Sequence, residues 1–520
     1  MASVTGGVLA HSQSRRLAER CREQGLRLLQ RGLLVAAACH FEEWLWAVEP
    51  EGDPNQVVPA LNALASAEQL RGEHGTALGW LRRAEPYLDS PALDPRQRVR
   101  YHLNRFVSLH WLGADGEARQ VAEEAVRQAE ALGSPDLAAA AFLNRSAALA
   151  RVQDWTGMGQ AAEQALDHYR RLGDPRGVVA SLTNLGIAHL ELGERRRARS
   201  ALSEALTLAE GMVRDRAAGR FDPPPLGYIL TELGRLSHQE GDLDGALRCA
   251  ARALEALLAD VATLDKEEVA KLSELFGRVF ADRGETHLAL RYLNRAAAYF
   301  SQLGRVPEWQ RVVDALQQVL QARAGRLPPA PQSPIPGLDF LTAVLDMTDE
   351  LETVDPYIRN HCERVAALAV LLGEAVGLGP RELRLLRYAG RLHDLGKVAV
   401  DAQILAKPGP LTPREWERIR VHPVVGAEML RPFGLEEDGL AAIRHHHERW
   451  DGRGYPDGLR GEEIPLLARI LAVADVYDAL TSDRVYRRAH GHWQALAILQ
   501  EMAGSQLDPH LVRLLIEMHQ

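Results

Sequence analysis

Five consecutive residues, His393-Asp394-Leu395-Gly396-Lys397, place two metal-ligating side chains and a cation side by side. Over the next 82 residues follow His422, the run His445-His446-His447, and Asp475. Imidazole nitrogens together with carboxylate oxygens suit borderline and hard divalent ions. A purely structural zinc site is instead four-coordinate and usually rich in Cys. Two divalent ions held close together acidify a water, orient the resulting hydroxide and neutralise phosphoryl oxygens, which is the chemistry needed to open a phosphodiester. Lys397 adds a cation that could stabilise developing charge or help protonate the leaving oxygen.

These residues need helices to carry them. The run from Arg381, RELRLLRYAGRLHDLGK, is apolar and helical in its pattern, and it places His393 and Asp394 adjacent on the inner face of one helix. Gly396 permits a close turn there. His361 lies 32 residues before His393, on a separate expected helix. Thr412 caps a further helix, and His422 stands immediately before Pro423. Another helix leads into the histidine run and the loop Asp451-Gly452-Arg453-Gly454-Tyr455-Pro456. Residues Ala468 to Leu480 read as a helix in which Asp475 and Asp478 are the intrusive carboxylates.

Upstream, residues 14–324 read as an all-α repeat array, preceded by a flexible N-terminus at 1–13. A Gly recurs with a small or apolar residue five, nine and twelve positions later, as in Gly32/Ala37/Phe41/Trp44 and Gly284/Ala289/Leu293/Ala296. Intermediate copies start at Gly72, Gly113, Gly193 and Gly241, and a degenerate one at Gln153. Successive anchors are 40, 41, 40, 40, 48 and 43 residues apart. Gly25, Gly186, Gly234 and Gly277 stand seven residues before their anchors. Gly at the turn permits reversal between antiparallel helices, and small residues let them approach. One such pair cannot bury its apolar face alone, so pairs stack into an α-α superhelix. His40, His74, His189 and His238 form no ligand cluster in this reading, and residues 215–227 form a loop.

Residues 325–337 hold five Pro in 13 positions, a density that no helix survives, so they read as an extended linker. A second domain then occupies 338–520. At 520 residues the chain exceeds one ordinary domain. Hydrophobic residues at 46% and charged residues at 25% are typical of a soluble globular protein. A net charge of -9 gives no electrostatic case for duplex nucleic acid. Cys21, Cys39, Cys249 and Cys362 lack CxxC spacing and read as buried reduced thiols. No apolar run approaches the ~20 residues of a membrane span, and the first residues lack a signal-peptide pattern. The expected location is the cytoplasm.

Two resemblances follow from these motifs. The array resembles the tetratricopeptide repeat family, with a longer period and poorly kept Trp and Tyr positions. The C-terminal segment resembles the HD-GYP branch of the HD metal-dependent phosphohydrolases. The matching stretches are HDLGK at 393–397, His422-Pro423, HHERWDGRGYPDGL at 446–459, IP at 464–465 and ARILAVADVYDALTSDRVYR at 468–487.

The HD-GYP resemblance implies that His393, Asp394, His422, His446, His447 and Asp475 ligate metal, with Asp394 bridging two ions and His361 as a further ligand. Members with a third metal carry a Glu four residues before that His; here the position is Tyr357, which favours two ions, iron or manganese. His445 is read as a non-ligand. Lys397, Tyr455, Asp478, Arg484 and Arg487 are the expected substrate contacts. The implied activity is hydrolysis of cyclic di-GMP to pGpG, GMP or both in a bacterial signalling protein. The implied partners are cyclic di-GMP, a GGDEF-type protein at the GYP loop, and a protein or second copy of the chain at the repeats. Two alternatives stand beside this: a catalytically silent adaptor, and a phosphodiesterase for another cyclic dinucleotide.

Overall fold

The structure, a computed structural model, describes residues 2–214, 225–259, 266–321, 361–431 apart from 406, 408 and 410, then 435–482 and 489–519. The expected linker, most of the loop at 215–227, Tyr357, Arg484 and Arg487 lie outside the described residues. The described residues are helical and contain no strand. The chain divides into two compact units.

The first unit begins with α1 (Ala2–Gln30), α2 (Leu34–Val48), α3 (Pro54–Leu70), α4 (His74–Leu88), α5 (Pro95–Trp111) and α6 (Asp115–Leu132). It continues with α7 (Pro135–Arg151), α8 (Trp155–Leu172), α9 (Pro175–Glu191), α10 (Arg195–Arg214) and α11 (Leu226–Gln239). The last four are α12 (Leu243–Ala259), α13 (Lys266–Asp282), α14 (Thr286–Gln302) and α15 (Val306–Gln321). Residues 2–13, expected to be a flexible N-terminus, are the start of α1.

Every anchor of the sequence repeat sits at a turn between paired helices. Gly32, Gly72, Gly113, Gly193, Gly241 and Gly284 all have left-handed backbone, with φ between 74° and 83°. Gln153 occupies the same position in the degenerate copy and adopts φ 58°, alone among the described non-Gly residues. An L-residue pays about 1–2 kcal/mol there, whereas Gly does not. The glycine seven residues upstream serves close packing. A Cβ on Gly25 would stand 2.4 Å from the Phe41 ring, and one on Gly277 would stand 2.6 Å from Leu293. The residues five, nine and twelve positions after each turn are all buried.

A second periodic signal had gone unused in the sequence. Asp53-Pro54, Asp94-Pro95, Ser134-Pro135 and Asp174-Pro175 open alternate helices. The Asp side chains accept from the backbone N–H of Asn55, Arg96 and Arg176 at 2.9–3.0 Å. Pro at the first helical position lacks a donor that would be unpaired anyway.

The repeats also meet across the interior of the superhelix. Arg151, at the end of α7, donates from Nη1 to Glu267 Oε2 at 2.9 Å, across 116 residues of sequence. Arg305 Nη2 lies 3.2 Å from the same oxygen, and Lys271 Nζ is 3.0 Å from Glu267 Oε1. Asp115 closes the group, 3.8 Å from Arg151 Nε and 3.7 Å from Arg305 Nη1. Residues of the third, fourth and seventh helical pairs, together with Arg305 ahead of α15, thus form one interior ion latch.

One expectation about this unit is corrected. His40 is not isolated from other ligand-type side chains: its Nδ1 lies 3.5 Å from Glu43 Oε2, which is also 3.5 Å from Cys21 Sγ. The three come from two helices and are separated by 19 and 3 positions, a spacing with no motif signature.

The second unit contains α16 (His361–Val376), α17 (Pro380–Leu392), α18 (Ala402–Leu405), α19 (Pro413–Ile419), α20 (His422–Leu430), α21 (Glu437–His445), α22 (Leu466–Thr481), α23 (His492–Met502) and α24 (Pro509–His519). Helix α22 is the central element. Its Ile470, Leu471, Val473 and Ala474 are fully buried, so it is apolar on nearly every side. Helices α16, α17 and α21 pack around it. Polar side chains on such a helix have no access to bulk water unless they face a site, and Asp475 and Asp478 are the two carboxylates it carries.

Candidate metal centre

The turn that carries His393 and Asp394 is built by two close backbone approaches. Gly390 on α17 lies against Ala366 of α16; an added Cβ would be 2.5 Å from the Ala366 Cα. Gly396 docks on the start of α20, where a Cβ would stand 2.0 Å from the His422 carbonyl oxygen and 2.7 Å from the Gly426 nitrogen. Helix α17 ends at Leu392, and a 3-10 turn follows at Leu395–Ala399. His393 and Asp394 therefore occupy the junction, not one helical face as the sequence pattern suggested. Adjacent residues within an α-helix point ~100° apart. Both keep right-handed backbone, at φ -56°, ψ -35° and φ -92°, ψ 0°, and the 3-10 turn begins just after them.

Three histidines are oriented by the same device. His393 Nδ1 donates to Gly390 O at 2.8 Å, His422 Nδ1 to Ile419 O at 2.7 Å, and His446 Nδ1 to Ile443 O at 2.6 Å. A carbonyl oxygen only accepts, so each Nδ1 holds the proton and each neutral ring presents an Nε2 lone pair. Those lone pairs converge. His422 Nε2 and His446 Nε2 are 3.4 Å apart, and His393 Nε2 is buried without a hydrogen-bond partner. Two facing lone pairs repel each other and cannot satisfy each other. A cation among them removes that cost, so the donors fit a bound metal.

The carboxylates complete two neighbouring donor groups. Asp394, His422, His446 and His447 form one, and His361, His393 and Asp475 form the other. Asp394 stands between them. Its Oδ1 is 3.3 Å from His422 Nε2, while its Oδ2 is 3.4 Å from His393 Nε2 and 3.9 Å from His361 Nε2. Lys397 Nζ donates to Asp394 Oδ2 at 2.7 Å. His361 Nε2 lies 3.4 Å from Asp475 Oδ1.

Electrostatics follow from this packing. Burial disfavours ionisation of Asp394, but the Lys397 ammonium beside it outweighs that and holds the carboxyl well below the usual range. Burial and the His422 ring push His447 down to about 3, and burial with three neighbouring imidazoles lowers His446 strongly. Burial also lowers His393. Burial opposes charge on His361 as well, yet Asp475 and Asp478 raise it to about 9. Carboxylates and the neutral rings of His393, His446 and His447 are thus in the protonation states that ligate metal, whereas His361 must release its Nε2 proton to join them.

Asp478, expected among the substrate contacts, is placed differently. It is buried, accepts from His361 Nδ1 at 2.7 Å, and receives Arg364 Nε at 2.6 Å and Nη2 at 3.0 Å. A carboxylate held on both oxygens in this way orients the imidazole that faces the site. Arg364 carried no motif signal of its own; it meets Asp478 only because α16 packs on α22.

The Gly454-Tyr455-Pro456 loop is tied to the histidine run. The Tyr455 amide donates to His447 O at 3.3 Å, and the Tyr455 and His447 ring centroids are 4.9 Å apart. Buried Glu448 Oε1 accepts from the amides of Asp457 at 2.7 Å and Gly458 at 3.0 Å. Gly454 rests on the Glu448 and Arg449 backbone, where an added Cβ would be 2.3 Å from the Arg449 nitrogen. On the outer side, the Arg420 guanidinium lies 5.3 Å from the Tyr455 ring centroid. His445 stays outside both donor groups of the centre, with Nδ1 3.4 Å from Asp457 Oδ2. Glu448 and Arg364 are the site-building residues that sequence reasoning missed; Arg420, at the rim, carried no motif signal either. Glu448 stood inside the quoted motif, directly after His447.

Comparisons with known proteins find matches in both units. Residues 347–511 match the HD domain family, and residues 137–211 match the tetratricopeptide repeat. The cyclic di-GMP phosphodiesterase response regulator RpfG of Xanthomonas campestris pv. campestris is 46% identical over 157 residues, covering 30% of this chain and 41% of that protein. Cyclic di-GMP phosphodiesterase PA4108 of Pseudomonas aeruginosa is 42% identical over 174 residues, 32% of this chain and 40% of that one. The 3'3'-cGAMP-specific phosphodiesterase 3 of Vibrio cholerae is 35% identical over 192 residues, 36% of this chain and 42% of that one. The chain thus spans about two fifths of the length of these relatives. No helix among the described residues is long and apolar enough to cross a membrane.

Proposed function

We propose that this chain is a metal-dependent cyclic-dinucleotide phosphodiesterase, with cyclic di-GMP as substrate and pGpG, GMP or both as product. The observation that carries this reading is the convergence of three Nε2 lone pairs on Asp394 between two donor groups. His361, His393, Asp394 and Asp475 would hold one divalent ion, and Asp394, His422, His446 and His447 a second, with iron and manganese both suited to such donors. When bound, such ions supply an activated water and neutralise phosphoryl charge.

The chain's own residues do the rest. The backbone carbonyls of Gly390, Ile419 and Ile443 fix three imidazoles in the ligating tautomer. Asp478 sets the His361 ring. Lys397 holds Asp394 ionised and stands ready to meet a non-bridging oxygen or to protonate the leaving oxygen. Tyr455 shields the His447 edge of the site. Arg484 and Arg487 are assigned to substrate phosphates from the motif alone.

The decisive experiment is turnover of cyclic di-GMP by metal-defined wild type and by Asp394→Ala. Activity in the first and its loss in the second is the expected result; equal rates would sink the mechanism. The 35% identity to a cGAMP-specific enzyme is a specific reason to assay 3'3'-cGAMP alongside. Binding without turnover of either would instead favour the adaptor reading. The repeat array would bind a protein partner or a second copy of the chain and so regulate or localise the activity. A GGDEF-type partner at the GYP loop is part of the same proposal.

A further inference from the structure

Arg420 differs from the paired arginines of the second unit in where it is held. Arg364, Arg381, Arg431, Arg444 and Arg469 each hold a carboxylate: Asp478, Glu436, Glu437, Asp457 and Asp508 respectively. Arg420 is exposed and pairs with no carboxylate among the described residues. Its guanidinium instead lies over the Tyr455 ring, 5.3 Å from the centroid, and that ring packs at a 32° tilt against His447, with centroids 4.9 Å apart. The stack fixes an uncommitted cation at the rim of the metal centre. The backbone brings it there as well, because Arg420 directly follows Ile419, whose carbonyl orients His422.

A cyclic dinucleotide carries two phosphodiesters, and only one can lie at the centre. The other must be desolvated against something. Lys397, held by Asp394 at 2.7 Å, is placed to serve the diester at the centre. We propose that Arg420 receives the second phosphate of a cyclic dinucleotide and is therefore a specificity-determining residue. This rests on the phosphodiesterase reading above. The chemistry fits the residue type: a planar guanidinium donates two parallel N–H bonds to a phosphate, while its face remains on the aromatic ring. Stacking on Tyr455 restrains the side chain before the ligand arrives, which lowers the entropy lost on binding. A substrate with a single phosphodiester has no group for this contact.

The test compares wild type, Arg420→Ala and Arg420→Lys on cyclic di-GMP and on bis(p-nitrophenyl) phosphate, with equilibrium binding of cyclic di-GMP measured in parallel. A lost charge-assisted contact is expected to raise KM or Kd for the dinucleotide about tenfold or more, with kcat little changed. Arg420→Lys recovers part of the loss, and the single-diester substrate is turned over equally by all three. Equal binding of cyclic di-GMP by wild type and Arg420→Ala overturns the proposal. An equal fall on both substrates also overturns it, since Arg420 would then be supporting His422. Arg420-dependent binding without turnover would leave this contact standing and remove the phosphodiesterase reading instead.

Discussion

His361 Nδ1 meets Asp478 Oδ2 at 2.7 Å across 117 residues of sequence, with Arg364 on the far side of the carboxylate. The imidazole therefore has one ring orientation, with Nε2 toward Asp475 and Asp394. Asp478→Asn keeps the shape and removes the charge. Metal affinity is expected to fall about 10- to 100-fold, with helical content unchanged. Manganese titration followed by electron paramagnetic resonance reads the first, and circular dichroism the second. Unaltered affinity would show that Asp478 does not position His361.

Gly396→Ala tests the docking of the 3-10 turn on α20. The new Cβ would meet the His422 carbonyl oxygen at 2.0 Å and the Gly426 nitrogen at 2.7 Å. Both are backbone atoms, so no side chain can swing aside. A loss of about 1–3 kcal/mol is expected, visible in urea unfolding of the second unit, together with reduced metal stoichiometry. Wild-type values for both would mean that the turn relaxes without moving His422.

Gln153→Gly should stabilise the array. Gln153 is held at φ 58°, where an L-residue is strained and Gly is not. Relief of that strain, offset by the greater freedom of Gly in the unfolded chain, leaves a gain of about 0.5–1 kcal/mol. Denaturant midpoints of the two proteins give the sign directly.

The ion latch makes an acid-stability prediction. Burial opposes the charge on Glu267 of the latch and on Glu274, seven residues further along α13 and bonded to Arg311 Nη2 at 2.8 Å. Lys271, Arg151 and Arg305 nonetheless hold Glu267 far below its ordinary value, and Arg311, Arg278 and Arg235 bring Glu274 to about 2. A depressed carboxyl pKa contributes stability that is complete above the unfolded value, roughly 4.3. That stability is lost as pH falls through the folded one. The array is therefore expected to weaken between about pH 4 and pH 2. Glu267→Gln should lower stability by about 3 kcal/mol at neutral pH and flatten the acid limb. Thermal unfolding across pH, with and without the substitution, measures both.

Much of the array was legible because its constraints are local. The Gly anchors recur at turns that need positive φ, and even Gln153, which breaks the consensus, was found by its register. The Asp-Pro and Ser-Pro starts were equally periodic and went unread. The metal donors were legible because His393, Asp394, His422, His446, His447 and Asp475 fall in ordered motifs. What the chain hid depends on packing between distant elements. His393 and Asp394 stand where α17 gives way to a 3-10 turn that docks through Gly396 on α20, which helical periodicity cannot foresee. Asp478 differs from Asp475 only in which side of α22 it faces. The meeting of Cys21, His40 and Glu43 needs the crossing of α1 and α2.

The latch also constrains how this array can change over generations. Solenoids ordinarily gain and lose whole units with little penalty, because each unit touches only its neighbours. Here Asp115 and Arg151 must find Glu267 and Arg305 after a fixed number of helical pairs. Duplicating or deleting one pair between them would rotate the partners past each other and strand several half-buried charges. The stretch from α6 to Arg305 is thus fixed in copy number, while units outside it remain free to be added or trimmed.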